Sequence, residues 1–369
     1  MEGFSMYIHE HKNWPKFTWD KEKIAELLSA VRYRQGRLIG HMEALGFALR
    51  EEAMFQTLTQ EVIKSSEIEG EVLDQDQVRS SLARRLGIDI AGSIPVDRHV
   101  EGVVDMMLDE TQNFRQTLTE ERLFGWHAAL FPAGRSGMHR ITTGAWRSGE
   151  RGPMQVVSGS IGKEKVHFEA PDAGKVPGEM YRFLAWFNSV NDIDPVLKAA
   201  IAHFWFVTIH PFEDGNGRIA RAIADMQLAR ADETSQRFYS MSTQIRKERK
   251  DYYEILETTQ KGAQDITAWL RWFLKCLDRT FSGSQDLLSN VLLKARFWEK
   301  HTGVAINDRQ KLIINRMLNG IEGKMTSSKW AKMAKCSKET AVRDIRDLIS
   351  KGVMVKEEAG GRSTSYVLA

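Results

Sequence analysis

A mainly α-helical protein with one short β-hairpin set between its helices is the fold class this sequence predicts. Three observations lead there. Only eight prolines occur in 369 residues. Apolar residues recur at helical spacing in long runs. β-like character is confined to a glycine-rich stretch at 136–170 and to a few residues near the C-terminus.

Taken in order, residues 1–20 are rich in aromatics (Phe4, Tyr7, Trp14, Phe17, Trp19) and read as an arm packed on the body. His9 and His11 lack a third metal-ligand type nearby and are read as packing residues. Asp20 suits the N-cap of a helix running to about Leu49, with Ile24, Leu27, Leu28 and Val31 on one face. A second helix is expected from Glu51 to about Glu69, a third from Asp74 to Leu86, then a loop at 87–95. Further helices are expected over Val100–Asn113 and Thr119–Leu130. From Ser136 to Ala170 glycines recur, and β-like pieces at Met154–Val157 and Lys165–Phe168 predict a hairpin. Gly159-Ser160-Ile161-Gly162-Lys163 lacks the spacing and final hydroxyl of a Walker phosphate loop. Val176–Asn188, Val196–Ile209, Ile219–Arg230, Arg246–Gln260 and Asp265–Leu277 carry helical patterns, and 280–305 reads as a helical connector.

Composition sets outer limits. A 42% hydrophobic content supports a real core. The net charge of +3 by itself implies no nucleic-acid partner. Cys276 and Cys336 are too few for a disulfide framework and fit a reducing cytoplasm. The N-terminal residues do not form a signal-like apolar run, and no stretch reaches the roughly 18 apolar residues of a membrane span, so no membrane association is expected.

The richest chemistry lies in His210-Pro211-Phe212-Glu213-Asp214-Gly215-Asn216-Gly217-Arg218-Ile219-Ala220-Arg221. An apolar helix precedes it and a second helix starts within it. Gly215 and Gly217 allow unusual dihedrals and close approach to the backbone. Free N–H groups at the start of a helix attract anions, phosphate above all. Arg218 and Arg221 share a helix face and converge on one polyphosphate. Asp214 is a hard oxygen ligand suited to Mg²⁺, and His210 accepts a proton near neutral pH. A base, a metal ligand and a phosphate cradle together point to transfer of part of a nucleotide.

The run resembles the signature of the Fic family at every signature position: HPF, one free position, an acid, GNGR and a second arginine. The resemblance implies a Fic-type helical core and AMP transfer from ATP to a protein hydroxyl. It implies His210 as the base and Asp214 as the Mg²⁺ ligand. Gly215, Asn216 and Gly217 would cradle the phosphates, Arg218 would bind them and Arg221 would hold the γ-phosphate. Ser65-Ser66-Glu67-Ile68-Glu69-Gly70 is similar to the family's inhibitory motif, with Ser65 and Glu69 on one helix face and Gly70 at its stop. Pairing of Glu69 with Arg221 would then block the productive pose of ATP. The hairpin, placed at 153–169, resembles the family's flap, which presents the target segment by strand addition. Tyr252 and Tyr253 offer rings for stacking a nucleobase, or for packing.

Residues 307–352 read as three short helices and Gly352–Leu368 as two strands around Gly360-Gly361, which resembles a winged helix-turn-helix. From Thr302 onward thirteen basic and seven acidic residues leave a surplus of six positive charges. Helix 337–350 in a DNA major groove is one reading and protein docking the other. The division expected is 1–95 (extension with inhibitory helix), 96–280 (catalytic core), 281–305 (connector) and 306–369 (winged helix-turn-helix). The expected function is that of an autoinhibited, self-modifying protein adenylyltransferase. Transfer of another nucleotide, removal of AMP, and a DNA-binding regulator stay open, as does a homodimer.

Overall fold

The computed structural model describes residues 6–90, 92–150, 152–159, 165–318, 320–357 and 364–369. After a short turn at Ile8–Glu10, the chain runs through α1 (Lys21–Glu43), α2 (Phe47–Ile68), α3 (Gln75–Leu86), α4 (Arg98–Gln112) and α5 (Glu120–Leu130). Two small antiparallel hairpins follow, β1 (Arg135–Ser136) with β2 (His139–Arg140), and β3 (Gln155–Ser158) with β4 (Lys165–Glu169). Then come α6 (Val176–Asn188), α7 (Pro195–Ile209), α8 (Asn216–Asp232), α9 (Met241–Lys247), α10 (Arg249–Gln260) and α11 (Thr267–Lys300). The chain ends with α12 (Asp308–Leu318), α13 (Ser327–Met333), α14 (Lys338–Ser350) and the antiparallel pair β5 (Met354–Lys356) and β6 (Tyr366–Leu368).

Several expected elements are present with their caps. The Asp20 carboxylate accepts from the N–H groups of Glu22 and Lys23, Asp74 caps α3 through Gln77 and Thr119 caps α5 through Arg122. The N-terminal arm packs as its aromatics suggest: Trp14 is buried edge-on to Trp205 and donates to Glu179 Oε2 at 2.9 Å, and His9 lies against the Glu169 carbonyl.

Three boundaries differ from the sequence reading. The first helix stops at Glu43 rather than Leu49, because the chain turns through extended Gly46 and α2 begins at Phe47. The expected helix over 246–260 is two helices, interrupted at Glu248 (φ −108°, ψ 27°). The segment 265–277 and the connector 280–305 are one helix, α11, about 50 Å long at 1.5 Å per residue. Ser282, Gly283 and Ser284 do not stop it, and both serine hydroxyls turn back to carbonyls of the preceding turn. The peptide 160–164 between β3 and β4, within the expected flap, and the Gly360-Gly361 turn lie outside the described residues.

The core is organised on the α7–α8 helical hairpin. Every residue of α7 from Val196 to Ile209 is buried, as its unbroken apolar run requires. α11 buries Trp269, Phe273, Leu277 and Phe281 in this core and Phe297 in a second, smaller core. That second core gathers α12–α14 and the β5–β6 pair around fully buried Trp330, in the element order expected for the C-terminal module. Among the described residues no helix is long and apolar enough to cross a membrane.

At Gly102 α4 packs tightly on α5. A Cβ there would lie 1.8 Å from the Ala129 carbonyl oxygen. Gly102→Ala is expected to cost about 3 kcal/mol in urea unfolding, the upper range for forced overpacking. Gly36→Ala in α1, where an added Cβ meets nothing within 4 Å, serves as the control and should be neutral or stabilising.

Candidate active site

The catalytic-type stretch folds as the turn between α7 and α8. His210 closes α7 in the left-handed region (φ 53°, ψ 56°), a conformation that costs a non-glycine residue about 1–3 kcal/mol and is kept only where the surroundings impose it. Arg147 imposes it: its Nε donates to the His210 carbonyl at 2.8 Å, its Nη2 donates to the Pro171 carbonyl and its backbone N–H to the Pro211 carbonyl at 2.9 Å. His210 Nδ1 lies 3.2 Å from the Val207 carbonyl. A carbonyl only accepts, so Nδ1 carries the proton and Nε2 keeps its lone pair. Burial, partly opposed by the Val207 bond, lowers the His210 pKa to about 4, so the ring is neutral at physiological pH.

Below His210 the turn is braced from inside. Phe212 is buried and stacks on His127 at 4.2 Å. The Asn216 amide spans the turn, accepting from Phe212 N–H at 2.9 Å and donating to the Phe212 carbonyl at 2.8 Å. The Asn216 side chain is therefore spent on the loop, and only its backbone is left for the expected phosphate cradle. Gly215 (φ 80°) supplies the left-handed N-cap of α8, and no side chain caps that helix. Its first-turn N–H groups thus remain available for an anion.

Asp214 accepts from the Ser136 hydroxyl and from Gly215 N–H at 2.5 Å. The Asp214 carbonyl is 3.2 Å from His127 Nε2, while His127 Nδ1 accepts from Gly144 N–H. Burial lowers the His127 pKa to about 4, consistent with a neutral ring in that relay. Together these contacts tie the turn to α5 and the β1–β2 hairpin.

Both arginines of the turn meet carboxylates from the end of α2. Arg221, with 2% of its side chain exposed, pairs with Glu69 Oε1 at 2.8 Å, and its Nε and Nη2 donate to the Ser65 hydroxyl and carbonyl at 3.0 and 2.9 Å. The contact expected between positions 69 and 221 is formed. Gly217 makes it possible, since a Cβ there would lie 2.2 Å from Glu69 Oε1. Gly70 (φ 85°) ends the helix, as its place in the motif requires. Arg218 pairs with Glu71 Oε2 at 2.9 Å and lies over the Phe131 ring.

The two tyrosines separate. Tyr253 donates to Glu69 Oε2 at 3.1 Å at the cavity edge. Tyr252 is 1% exposed, its ring against Trp269 and Trp272 and its hydroxyl 2.9 Å from His203. Tyr252 also lines the cavity described next, but its burial matches the packing alternative: the α10 face it occupies turns toward α7 and α11.

A cavity of about 870 Å³ joins these parts, lined by His210, residues 213–217, Glu69, Tyr253 and β3. β3 pairs only with β4 among the described residues and leaves its other edge unpaired. β4 is pinned to α10 by His167 Nδ1, which donates to Glu257 at 2.6 Å, while its Nε2 accepts from Ser158.

Residues 117–228 match the Fic/DOC family model, a span that carries the whole turn and the first three turns of α8. Residues 117–228 carry a Fic/DOC domain. Residues 7–88, preceding the Fic region, match a domain of unknown function, DUF4172. The protein adenylyltransferase Fic of Culex quinquefasciatus is 28% identical over 258 residues, 68% of this chain and 46% of that protein. That of Drosophila grimshawi is 36% identical over 112 residues, 30% of this chain and 22% of that protein. The chain thus spans less than half the length of these Fic relatives. A Fic family protein from Desulfovibrio desulfuricans G20 shares the fold over 96% of this chain and 98% of its own, with a TM-score of 0.52 at 21% identity.

Sequence reading missed several residues that shape the Fic site. Arg147, His127 and Ser136 act from 63 to 87 positions away, and nothing in their local sequence marks them. Glu71 carried a signal: it is a second acid just past the motif, two residues from Glu69.

Proposed function

We propose that this protein is an adenylyltransferase that moves AMP from ATP to a hydroxyl side chain of a target protein, and that Glu69 restrains it. The observation that carries the reading is the unprotonated Nε2 of His210 facing a cavity whose floor is the uncapped start of α8. In this reading Nε2 takes the proton of a target Tyr, Thr or Ser hydroxyl as its oxygen attacks the α-phosphorus of ATP. The bond to the pyrophosphate oxygen breaks and pyrophosphate leaves. Backbone N–H groups of residues 215–217 would hold phosphate oxygens, Arg218 would add charge, and Arg221 would take the γ-phosphate.

Asp214 fits Mg²⁺: its carboxylate lines the cavity with the Ser136 hydroxyl beside it, a set of hard oxygens of the kind that ion uses together with substrate phosphates. Bound there, Mg²⁺ would neutralise charge developing on the phosphates. The free edge of β3 would add the target segment as a strand, through main-chain hydrogen bonds tolerant of sequence. A segment of the chain itself presented this way would be modified too. Cys276 and Cys336 are free thiols, consistent with a cytoplasmic setting.

The test uses the full chain, wild type and Glu69→Gly, with cell lysate, Mg²⁺ and ATP labelled at the α- or the γ-phosphate. Protein label from α-labelled ATP alone is the expected result. Label from neither form would overturn the reading; label from the γ-position alone would mean phosphoryl transfer.

A DNA-binding role for the C-terminal module is a second reading, favoured by how α14 distributes its charge. Asp344 turns inward onto Arg309 (2.6 and 2.8 Å), and Asp347 is held by Gln310 and Lys351. Lys338, Arg343 and Arg346 are exposed on the surface that Glu339 and Asp347 share. Of the acids on this helix, Asp344 and Asp347 are thus paired within the module while Glu339 stays exposed, and the outward surplus of cations suits phosphates. Duplex DNA should bind the full chain at about 50 mM salt and be released toward about 200 mM. Absence of binding at the lower salt would leave protein docking as the role of this face.

A further inference from the structure

We propose that Glu71 is a second latch on the nucleotide site, a positioning residue that withholds Arg218 as Glu69 withholds Arg221. The inference rests on the nucleotide reading above and extends its regulation beyond the six-residue motif.

The end of α2 sets the geometry. Gly70 N–H donates to the Glu67 carbonyl and Glu71 N–H to the Ser66 carbonyl, both at 3.1 Å, with Gly70 left-handed. These are the two bonds of a Schellman closure. Ser66 and Ile68 are fully buried beneath it, so the closure is anchored. It places Glu69 at the cap and Glu71 two residues beyond as one rigid pair of carboxylates. Opposite them on α8, Arg218 and Arg221 are three residues apart and share a face. Each carboxylate takes one arginine, Glu69 to Arg221 at 2.8 Å and Glu71 to Arg218 at 2.9 Å.

The second pair is built in as firmly as the first. The ring of His99, from α4, sits against the other oxygen of Glu71, and its Nδ1 lies 3.1 Å from the Leu130 carbonyl at the end of α5. Arg218 is folded down over Phe131, the next residue. Burial works to raise the Glu71 carboxyl, but the His99 and Arg218 contacts outweigh it and hold the group below its ordinary value, so it stays charged for the pair. Neither arginine lines the cavity, whereas Glu69 and Gly217 do. Removing the Glu69 carboxylate frees Arg221 and leaves Arg218 engaged.

Equilibrium binding of Mg-ATP to the full chain tests this without depending on transfer. Four forms are compared: wild type, Glu69→Gly, Glu69→Gly with Glu71→Gln, and Glu69→Gly with Glu71→Asp. The Gln double variant is expected to bind ATP roughly three- to tenfold more tightly than Glu69→Gly, the range set by freeing one half-buried ion pair. Its KM for ATP in AMP transfer should fall in proportion, with kcat within about twofold, the pattern of a change in ground-state binding. The Asp variant, which keeps the charge, should stay near Glu69→Gly. The gain should vanish when Arg218→Ala is added, which general loosening of the loop would not produce. Equal or weaker ATP binding by the Gln double variant, with ATP still bound by Glu69→Gly, overturns the second latch alone. ATP binding by none of the variants overturns the nucleotide reading along with it.

Discussion

Glu69→Gly is expected to raise the initial rate of AMP incorporation about a hundredfold. Arg221 is almost wholly buried, and its charge is balanced in the resting structure by Glu69, with Ser65 accepting from its Nε and Nη2. Deleting that carboxylate leaves a buried guanidinium with only neutral partners, for which a phosphate is the best replacement. Breaking a buried ion pair is worth about 3–5 kcal/mol. Glu69 is 28% exposed on its side chain, which brings the relevant figure down to about 2–3 kcal/mol, or roughly a hundredfold in rate. The same variant should melt at a lower temperature without nucleotide and regain stability as ATP is added, because a ligand that binds only the folded state stabilises it by mass action. Rates of α-label incorporation that match between wild type and variant would remove Glu69 as the restraint.

His210→Ala, made in the Glu69→Gly background so that activity is measurable, should lose about 10²- to 10⁴-fold in rate while keeping its affinity for ATP. The pH profile is the sharper check. The base form is the neutral imidazole, so the rate falls only when the ring becomes protonated. With the His210 pKa lowered to about 4, first by burial, transfer by Glu69→Gly should be flat as pH falls from about 8 to about 5 and decline only near 4. An exposed histidine would instead lose activity through about 6.5. An acid limb at that higher value would show that the ring is solvated in the working enzyme and that the closed turn is not its catalytic geometry.

Much of this site was legible because its chemistry is concentrated in one stretch. A base, an acid, two glycines and two arginines within twelve residues leave few other uses, and an apolar helix before them marks where the turn must lie. The Glu69 contact was readable only because a motif tied it to Arg221; spacing alone would not join residues 152 positions apart. What stayed hidden is what tertiary packing decides. Tyr252 and Tyr253 are neighbours with one chemistry, yet the helix buries one ring against the core and leaves the other exposed beside Glu69. Arg147 looks like a surface arginine in a glycine-rich loop and proves to hold the strained backbone of His210. The stop expected before α11's second half failed for a related reason. Ser282, Gly283 and Ser284 are weak helix formers locally, but apolar residues continue on one face, and tertiary burial outweighs propensity.

That unbroken helix has a consequence of its own. α11 leaves the Fic core and enters the C-terminal module without a joint, and the module is further braced by Arg316 to Asp76 at the start of α3 and by Lys294 of α11 to Glu52 in α2. A partner bound by α14 would therefore be carried on a strut and not on a tether. Its separation from His210 is set by the architecture, so the geometry works as a ruler. On the proposed reading, a substrate would be favoured when its hydroxyl stands at the matching offset from whatever α14 held. Selection by distance would then supply, as local concentration, discrimination that a flap reading only main chain would lack.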